Sequence, residues 1–467
     1  MMMSNWFDGY ARTFEKWMPS PFVIAVLLTA LTALLSIRTA DSTELVLRSW
    51  TEGLWNAGLI RFGFQAMFML VLGHVLALAP PVYRGLHRSV SWIVGRPKWW
   101  VVKLAAISMI LGWLNWGLGL VGGAILAKGV LDFARENNWS LNRGLVGAAG
   151  YTGMLVWHGG LSGSAPLKVA EQGHLKSLVS DASWSAEMPD AIGLPETVFA
   201  PWSLALTLAV ALSVLATLFW LVRSSAPDKW TADRDGTHKV PGFSADSIST
   251  VKTPVHGAER LEQGHLVPGF LGLFCFVGLA WWAQANGPWW ALKFVTPDWI
   301  NMLLLGLALW MHGSIRSLLT ALDIAIQGAS GILIQFPLYF GIMGMVTGTG
   351  LGTEMSSLLV SSTSKELLPL ALFGSSGILN IFVPSGGGQW AVQGPLVLET
   401  CHALGVPWPR GIMAMAYGDQ LTNLLQPFWA LPLLGITGLK AREILPHTVV
   451  LMCVAGGVMM VGLWLSS

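Results

Sequence analysis

The chain has 467 residues, 53% of them hydrophobic and 11% charged, with a formal net charge of +2. Ordinary soluble domains carry roughly 25% charged residues, so composition puts this chain in a bilayer, crossing it many times. The small net charge and the lack of a basic-aromatic tract leave no nucleic-acid partner, and three cysteines without CxxC spacing leave neither a disulfide framework nor a thiolate metal site.

At the N-terminus, Trp6, Phe7, Tyr10, Phe14 and Trp17 recur at helical spacing opposite Asp8, Arg12, Glu15 and Lys16. Residues 1–20 therefore read as a retained amphipathic helix lying on the membrane surface. Spans are expected over 21–37 and 53–79, the second carrying Arg61, Gln65 and His74. The basic loop after them holds Arg84, His87, Arg88, Arg96, Lys98 and Lys103 with no acidic residue, which places it in the cytoplasm. The next apolar run leads into the glycine-rich stretch from Asn115 through Gly122 and Gly123 to Phe133, which is either two crossings or one re-entrant hairpin. A span starting at Gly144 breaks down at WHGGLSGSAPL, which contains His158, Ser162 and Ser164. An acidic linker over 168–196 suits the outside, and 197–222 crosses back to a polar cytoplasmic loop over 223–264.

The second half opens with a linking span in 265–290, followed by spans near 299–311 and 324–346. The run 367–383 enters NIFVPSGGGQWAVQ, which contains Asn380, Ser385, Gly386, Gly387, Gly388 and Gln389, and 390–398 leaves it. The stretch 413–434 is interrupted by GDQLTNLLQPFWALP, which contains Asp419, Asn423 and Gln426, and 448–465 ends the chain.

Sliding the halves by 265 positions superposes Asn115 on Asn380 and Gly122-Gly123 on Gly387-Gly388; small further shifts bring Tyr151 onto Tyr417. With an odd span between them, the second copy is upside down. The chain thus reads as two inverted repeats, 21–222 and 291–467, each with two interrupted segments. Paired breaks of this kind are the mark of secondary transporters, whose substrate sites form where the repeats meet. Irregular backbone at membrane depth has to be buried or line a cavity, although glycine and proline are equally the commonest turn formers outside the bilayer.

Helix N-termini after such breaks favour an anion. A carboxylate is expected between two tips, with Ser385, Gln389 and the Gly386-Gly387-Gly388 amides on one side and Asn115 and the Gly122-Gly123 amides opposite. His158, Ser162, Ser164, Asn423 and Gln426 complete the candidate set, with Trp116 and Trp390 against a short alkyl tail. For each isolated Ser or Asn, interhelical hydrogen bonding is the competing reading. Asp419 is the candidate for a coupling cation, with Asn423, because a carboxylate within an apolar span needs a partner or a cavity. His158 is a candidate proton carrier or a structural hydrogen-bonder. No firm metal site or resident cofactor is expected; the coupling ion is H+ or Na+. Neither a HExxH-like motif nor paired catalytic carboxylates suggest an enzyme.

At NWGLGLVGGA, WHGGLSGSAPL, PSGGGQWAVQGPL and YGDQLTNLLQPFWALPLLG the sequence resembles the bacterial short-chain fatty acid transporter family, the AtoE-type permeases, over essentially its whole length. The resemblance implies an all-α, multi-pass inner-membrane protein taking up acetoacetate, butyrate and similar monocarboxylates by cation symport. It also implies kinship with ion transporters that pair two hairpins with two unwound helices, often of elevator type and commonly dimeric; no stretch of this chain marks a homodimer interface. The alternative carrier, for dicarboxylates or amino acids, needs a second cation near the breaks, and Lys128 and Lys168 are the nearest.

Overall fold

The computed structural model describes residues 19–96, 99–179, 183–224, 257, 259–285, 294, 296–327, 330–360 and 363–466. The expected surface helix and nearly all of the central loop lie outside them. Among the described residues every regular element is a helix. Five are long and apolar enough to cross a membrane: Phe22–Thr39, Trp116–Glu136, Pro201–Ser224, Leu266–Ala285 and Ala441–Leu465. A bent pair, Thr43–Arg61 and Gly63–Leu76, meets at 50°.

Trp100–Leu114 and Leu368–Phe382 are apolar helices of 15 residues each. At 1.5 Å per residue they reach about 22 Å, short of a hydrocarbon core of about 30 Å. Each is followed at once by a return helix, Trp116–Glu136 and Gly386–Leu404. The descending arms are thus too short to cross alone, whereas the first return helix is long enough to do so; the two helix pairs turn at Asn115 and at 383–385.

The order of elements repeats. Pro21–Thr39, Thr43–Leu54, Ala57–Leu78 and Pro80–Val94 precede the first hairpin, and Pro297–His312, Ile315–Gln327, Ser330–Gly348 and Leu351–Val360 precede the second. Each hairpin is followed by an interrupted helix. In the first half Arg143–Tyr151 tightens into the 3-10 turn Thr152–Leu155 and resumes at Ser164–Val169. In the second, Trp408–Thr422 tightens into Asn423–Leu425 and resumes at Pro427–Thr437. Pro201–Ser224 and Ala441–Leu465 close the two halves, and Leu266–Ala285 stands between them without a counterpart. One crossing between two copies inverts the second. Aligning the elements corrects the register read from the sequence: the residue that caps the return helix is Asn115 in one half and Ser385 in the other, whereas Asn380 lies inside the descending arm.

Glycine lets each hairpin lie directly on its own interrupted helix. A Cβ on Gly112 would meet the carbonyl of Gly153, and one on Gly418 would meet that of Phe373. Backbones at this separation leave no room for a methyl group, which is how small residues drive helix association in lipid. Gly374, on the same descending arm as Asn380, has nothing within 4 Å of its Cβ direction. Gly112→Ala is therefore expected to lower the melting temperature in detergent by an overpacking cost of about 1–3 kcal/mol. Gly374→Ala should hold or raise it, by up to about 1 kcal/mol; equal effects from the two would refute the close-approach reading.

Candidate functional site

The first hairpin tip is closed on itself. Asn115 is extended (φ −159°, ψ 131°), and its Oδ1 accepts from the Gly117 and Leu118 amides at 2.9 and 3.2 Å. The Trp116 amide donates to Ser162 Oγ at 2.8 Å. The N–H groups that the sequence offers to a carboxylate at this tip are thus engaged within the protein. Gly122 and Gly123 lie in the second turn of Trp116–Glu136, where amides bond along the helix. They serve packing: a Cβ on Gly122 would crowd Leu111 and one on Gly123 the carbonyl of Gly150. They are not ligand amides in this arrangement.

The second tip is more open. Ser385 (φ −151°, ψ 108°) caps Gly386–Leu404 with its Oγ accepting from the Gly388 amide at 3.3 Å. Gly386 and Gly387 occupy the first two positions of that helix, where the amides have no intrahelical acceptor. Gly387 is exposed, with nothing within 4 Å of its Cβ direction. Gly386 is buried against the first-half break: a Cβ there would stand 2.8 Å from His158 Cε1 and Nε2 and 2.9 Å from Ser164 Oγ. Ser162 and Ser164 lie two residues apart on that break, one against each tip. The two tips therefore meet at a single loop.

Behind Gly386 the two breaks join through a buried pair. His158 Nε2 lies 3.2 Å from Asp419 Oδ2, with side-chain exposures of 0% and 1%. The His158 amide donates to Gln420 Oε1 at 2.9 Å. His158 Nδ1 and Asp419 Oδ1 have no hydrogen-bond partner within the protein. Trp157 packs on the imidazole with ring centroids 3.7 Å apart, and Trp429 lies near both Trp157 and Trp116.

Several candidates turn out to hold the backbone. Asn380 Nδ2 reaches the Asp419 carbonyl, Thr422 Oγ1 and Asn423 Oδ1 at 2.9, 2.9 and 2.8 Å. Gln426 Nε2 donates to the Asn380 carbonyl at 2.6 Å, which its own helix leaves unpaired because residue 384 is proline and has no N–H. Gln389 Nε2 reaches the Ser376 carbonyl and the Gln393 side chain at 2.8 and 2.9 Å, joining the two arms of the hairpin away from the tip. Trp390, expected beside a substrate tail, is 1% exposed and donates to His174 Nε2 at 2.9 Å. The sequence reading gave Tyr151 and Tyr417 no part in the breaks, yet their hydroxyls hold them: one donates to the Asn423 carbonyl (2.8 Å) and the other pairs with Ser203 Oγ (2.7 Å). Their superposition in the repeat was the available signal. Among the described residues no group of three or more His, Cys, Asp or Glu could hold a metal ion. The two lysines nearest the breaks are engaged by acidic neighbours, Lys128 by Asp132 and Lys168 by Glu171.

A family model described as "Short chain fatty acid transporter" matches residues 3–466. A proposed short-chain fatty acid transporter of Escherichia coli (strain K12) is 30% identical over 97% of this chain and 98% of its own length. One from Haemophilus influenzae is 31% identical over 96% and 97%. Among solved structures, the YdaH transporter of Alcanivorax borkumensis aligns over 96% of this chain and 98% of its own, at 16% identity and a TM-score of 0.41. MtrF of Neisseria gonorrhoeae, of a class of antimetabolite efflux pumps, aligns over 97% of each chain, at 14% identity and a TM-score of 0.40.

The contrast between adjacent tip glycines is directly testable. Gly386→Ala pushes a methyl into His158 and Ser164 and is expected to cost an overpacking penalty of about 1–3 kcal/mol, read as a lower melting temperature in detergent. Gly387→Ala points into open space and should melt like the unmodified protein. A penalty at Gly387 equal to that at Gly386 would contradict the described opening.

Proposed function

The chain belongs to the short chain fatty acid transporter family, and from that premise we propose that it is a secondary active transporter. It takes up acetoacetate, butyrate and similar small monocarboxylates across the bacterial inner membrane by symport with a cation. The observation that carries the reading is the open helix end at Ser385, Gly386 and Gly387. A helix N-terminus whose first two amides have no intrahelical acceptor, exposed at Gly387 and flanked at Gly386 by the Ser164 hydroxyl, suits one carboxylate group. The short alkyl tail packs toward the Trp116, Trp157 and Trp429 cluster, not toward Trp390, which is held by the linker.

One carboxylate is the capacity of this arrangement. A dicarboxylate calls for a second cationic partner, and the two lysines nearest the breaks already have acidic partners. The coupling cation is taken at Asp419, the buried carboxylate behind the tip. Both hairpins and both interrupted helices, with the closing helices Pro201–Ser224 and Ala441–Leu465 that bond to them through Ser203 and Thr448, move as one body against the remaining helices, exposing the site alternately to the two sides.

In proteoliposomes holding the full chain, butyrate and acetoacetate uptake is expected to exceed that of protein-free vesicles, with succinate and amino acids failing to compete. Ser385→Ala loses the cap at the tip and should weaken uptake by roughly fivefold to tenfold, as expected from a cap worth about 1 kcal/mol or slightly more, with the protein still in the membrane. Unchanged uptake in Ser385→Ala, or competition by succinate as strong as by butyrate, counts against this site.

A further inference from the structure

We propose that the His158–Asp419 pair binds the coupling ion, that this ion is a proton, and that its arrival on the pair admits the substrate carboxylate. The inference deepens the transport reading and rests on it. The two side chains stand 261 positions apart in sequence, on the breaks of opposite halves, and meet at 3.2 Å with both nearly wholly buried. Each leaves one polar atom without a partner, Nδ1 and Oδ1.

The charge states decide what the site accepts. With neutral histidine and ionised aspartate the pair carries one negative charge, and a neutral ring that keeps its hydrogen on Nε2 for Asp419 presents a lone pair at Nδ1. An incoming carboxylate meets repulsion from both. With one proton added the pair is neutral overall; the imidazolium keeps its Nε2 hydrogen on Asp419 and gains an N–H at Nδ1. That new donor takes the substrate carboxylate, whose other oxygen sits on the Gly386-Gly387 amides. No bond other than N–H forms or breaks. The proton enters with the anion and leaves with it, so the loaded site is no more charged than the unloaded one.

Other charged and titratable groups do not supply this role. Leu368–Phe382, packed beside Asp419, has none. On Gly386–Leu404 Glu399 and His402 lie toward the far end from the tip, and on Ser164–Val169 Lys168 pairs with Glu171. On the last helix His447 bonds the Glu443 carbonyl, and on Trp116–Glu136 Lys128 pairs with Asp132. Tyr151 and Tyr417 are engaged with the Asn423 carbonyl and Ser203.

Sodium fits the same atoms poorly, because it needs several converging oxygens. Asp419 Oδ2 faces a nitrogen, and Asn423 Oδ1, the Asn423 carbonyl, Gln420 Oε1 and the Asp419 carbonyl already accept from donors. The unpartnered oxygens of Asn380 and Gln426 belong to side chains whose amide nitrogens are fixed on the Asp419 and Asn380 carbonyls.

Calorimetric titration of the detergent-solubilised full chain with butyrate reads this directly, in sodium-free buffers of different ionisation enthalpy. The unmodified protein is expected to take up about one proton per butyrate, and over the pH range in which it does so its Kd should rise about tenfold per pH unit, the linkage slope for one proton. Asp419→Asn and His158→Gln, checked for folding by melting temperature, should bring proton uptake close to zero and flatten the pH dependence. If butyrate binds the unmodified protein with no proton uptake and a flat pH profile, or binds only with sodium, the coupling inference falls and the transport reading stands. If neither butyrate, acetoacetate nor another short monocarboxylate binds at any pH with or without sodium, the reading of the site falls and this inference with it. Full proton uptake in Asp419→Asn would remove Asp419 from the pair.

Discussion

A backbone carbonyl or amide left unpaired in hydrocarbon costs several kcal/mol, and four interruptions at membrane depth create many such groups in one small volume. The polar side chains of this region are arranged to meet that demand. Tyr151 reaches the Asn423 carbonyl, Thr448 the Leu424 carbonyl, Trp113 the Gly159 carbonyl, and Gln426 the carbonyl that Pro384 leaves open. Asn115 and Ser162 do the same for the amides of the first tip. What is left after this accounting is the amides at Gly386 and Gly387, which begin their helix, His158 Nδ1 and Asp419 Oδ1, and single atoms of Trp157, Asn380, Gln389, Asn423 and Gln426 around them. The His158–Asp419 pair differs from the rest of that remainder in being ionisable and in joining the two halves.

The architecture was largely legible in the sequence because it is written in signals of long range: apolar runs of span length, a charge bias between loops and an odd span between similar halves. The four breaks were legible for the same reason, since glycine and proline clusters within apolar runs have few uses. The individual ligands were not. Asn380 and Gln389 are amides in a glycine-rich break and look like ligands, yet each spends its donors on neighbouring backbone or side chains. That choice depends on which carbonyl a proline has orphaned and which arm lies opposite, and neither can be read from spacing. The contact between His158 and Asp419 was hidden for a similar reason. It joins residues of opposite repeats, and only the fold brings their breaks to one depth.

The repeat also explains why a two-fold plan yields a one-sided site. At the capping position one half has asparagine, whose carbonyl oxygen reaches two amides, with tryptophan following it. The other has serine, whose shorter hydroxyl reaches one amide, followed by glycines without side chains. The first tip is sealed and the second leaves the Gly386 and Gly387 amides without an intrahelical acceptor, although both are built on the same hairpin plan.

The distribution of polar contacts bears on how such a site changes sides. Hydrogen bonds knit the four breaks together: His158 to Asp419, His158 to Gln420, Tyr151 to Asn423 and Trp116 to Ser162. The outer helices are knitted among themselves, by Arg61 and Gln65 to Asp298, His312 to the Val75 carbonyl and Asn301 to the Gln65 carbonyl. Where these two groups of helices touch, the buried neighbours include Met69 against Gly117, Val121 against Gly73 and Met343 against Gly388, and the bond from Lys103 to the Trp92 carbonyl lies at the exposed surface. Apolar side chains on glycine faces lose little when they slide, because one dispersion contact replaces another, whereas separating buried hydrogen-bond partners leaves each with its full desolvation penalty. A displacement of the breaks as a single body past the outer helices is therefore the cheaper motion, because it leaves the His158–Asp419 contact intact.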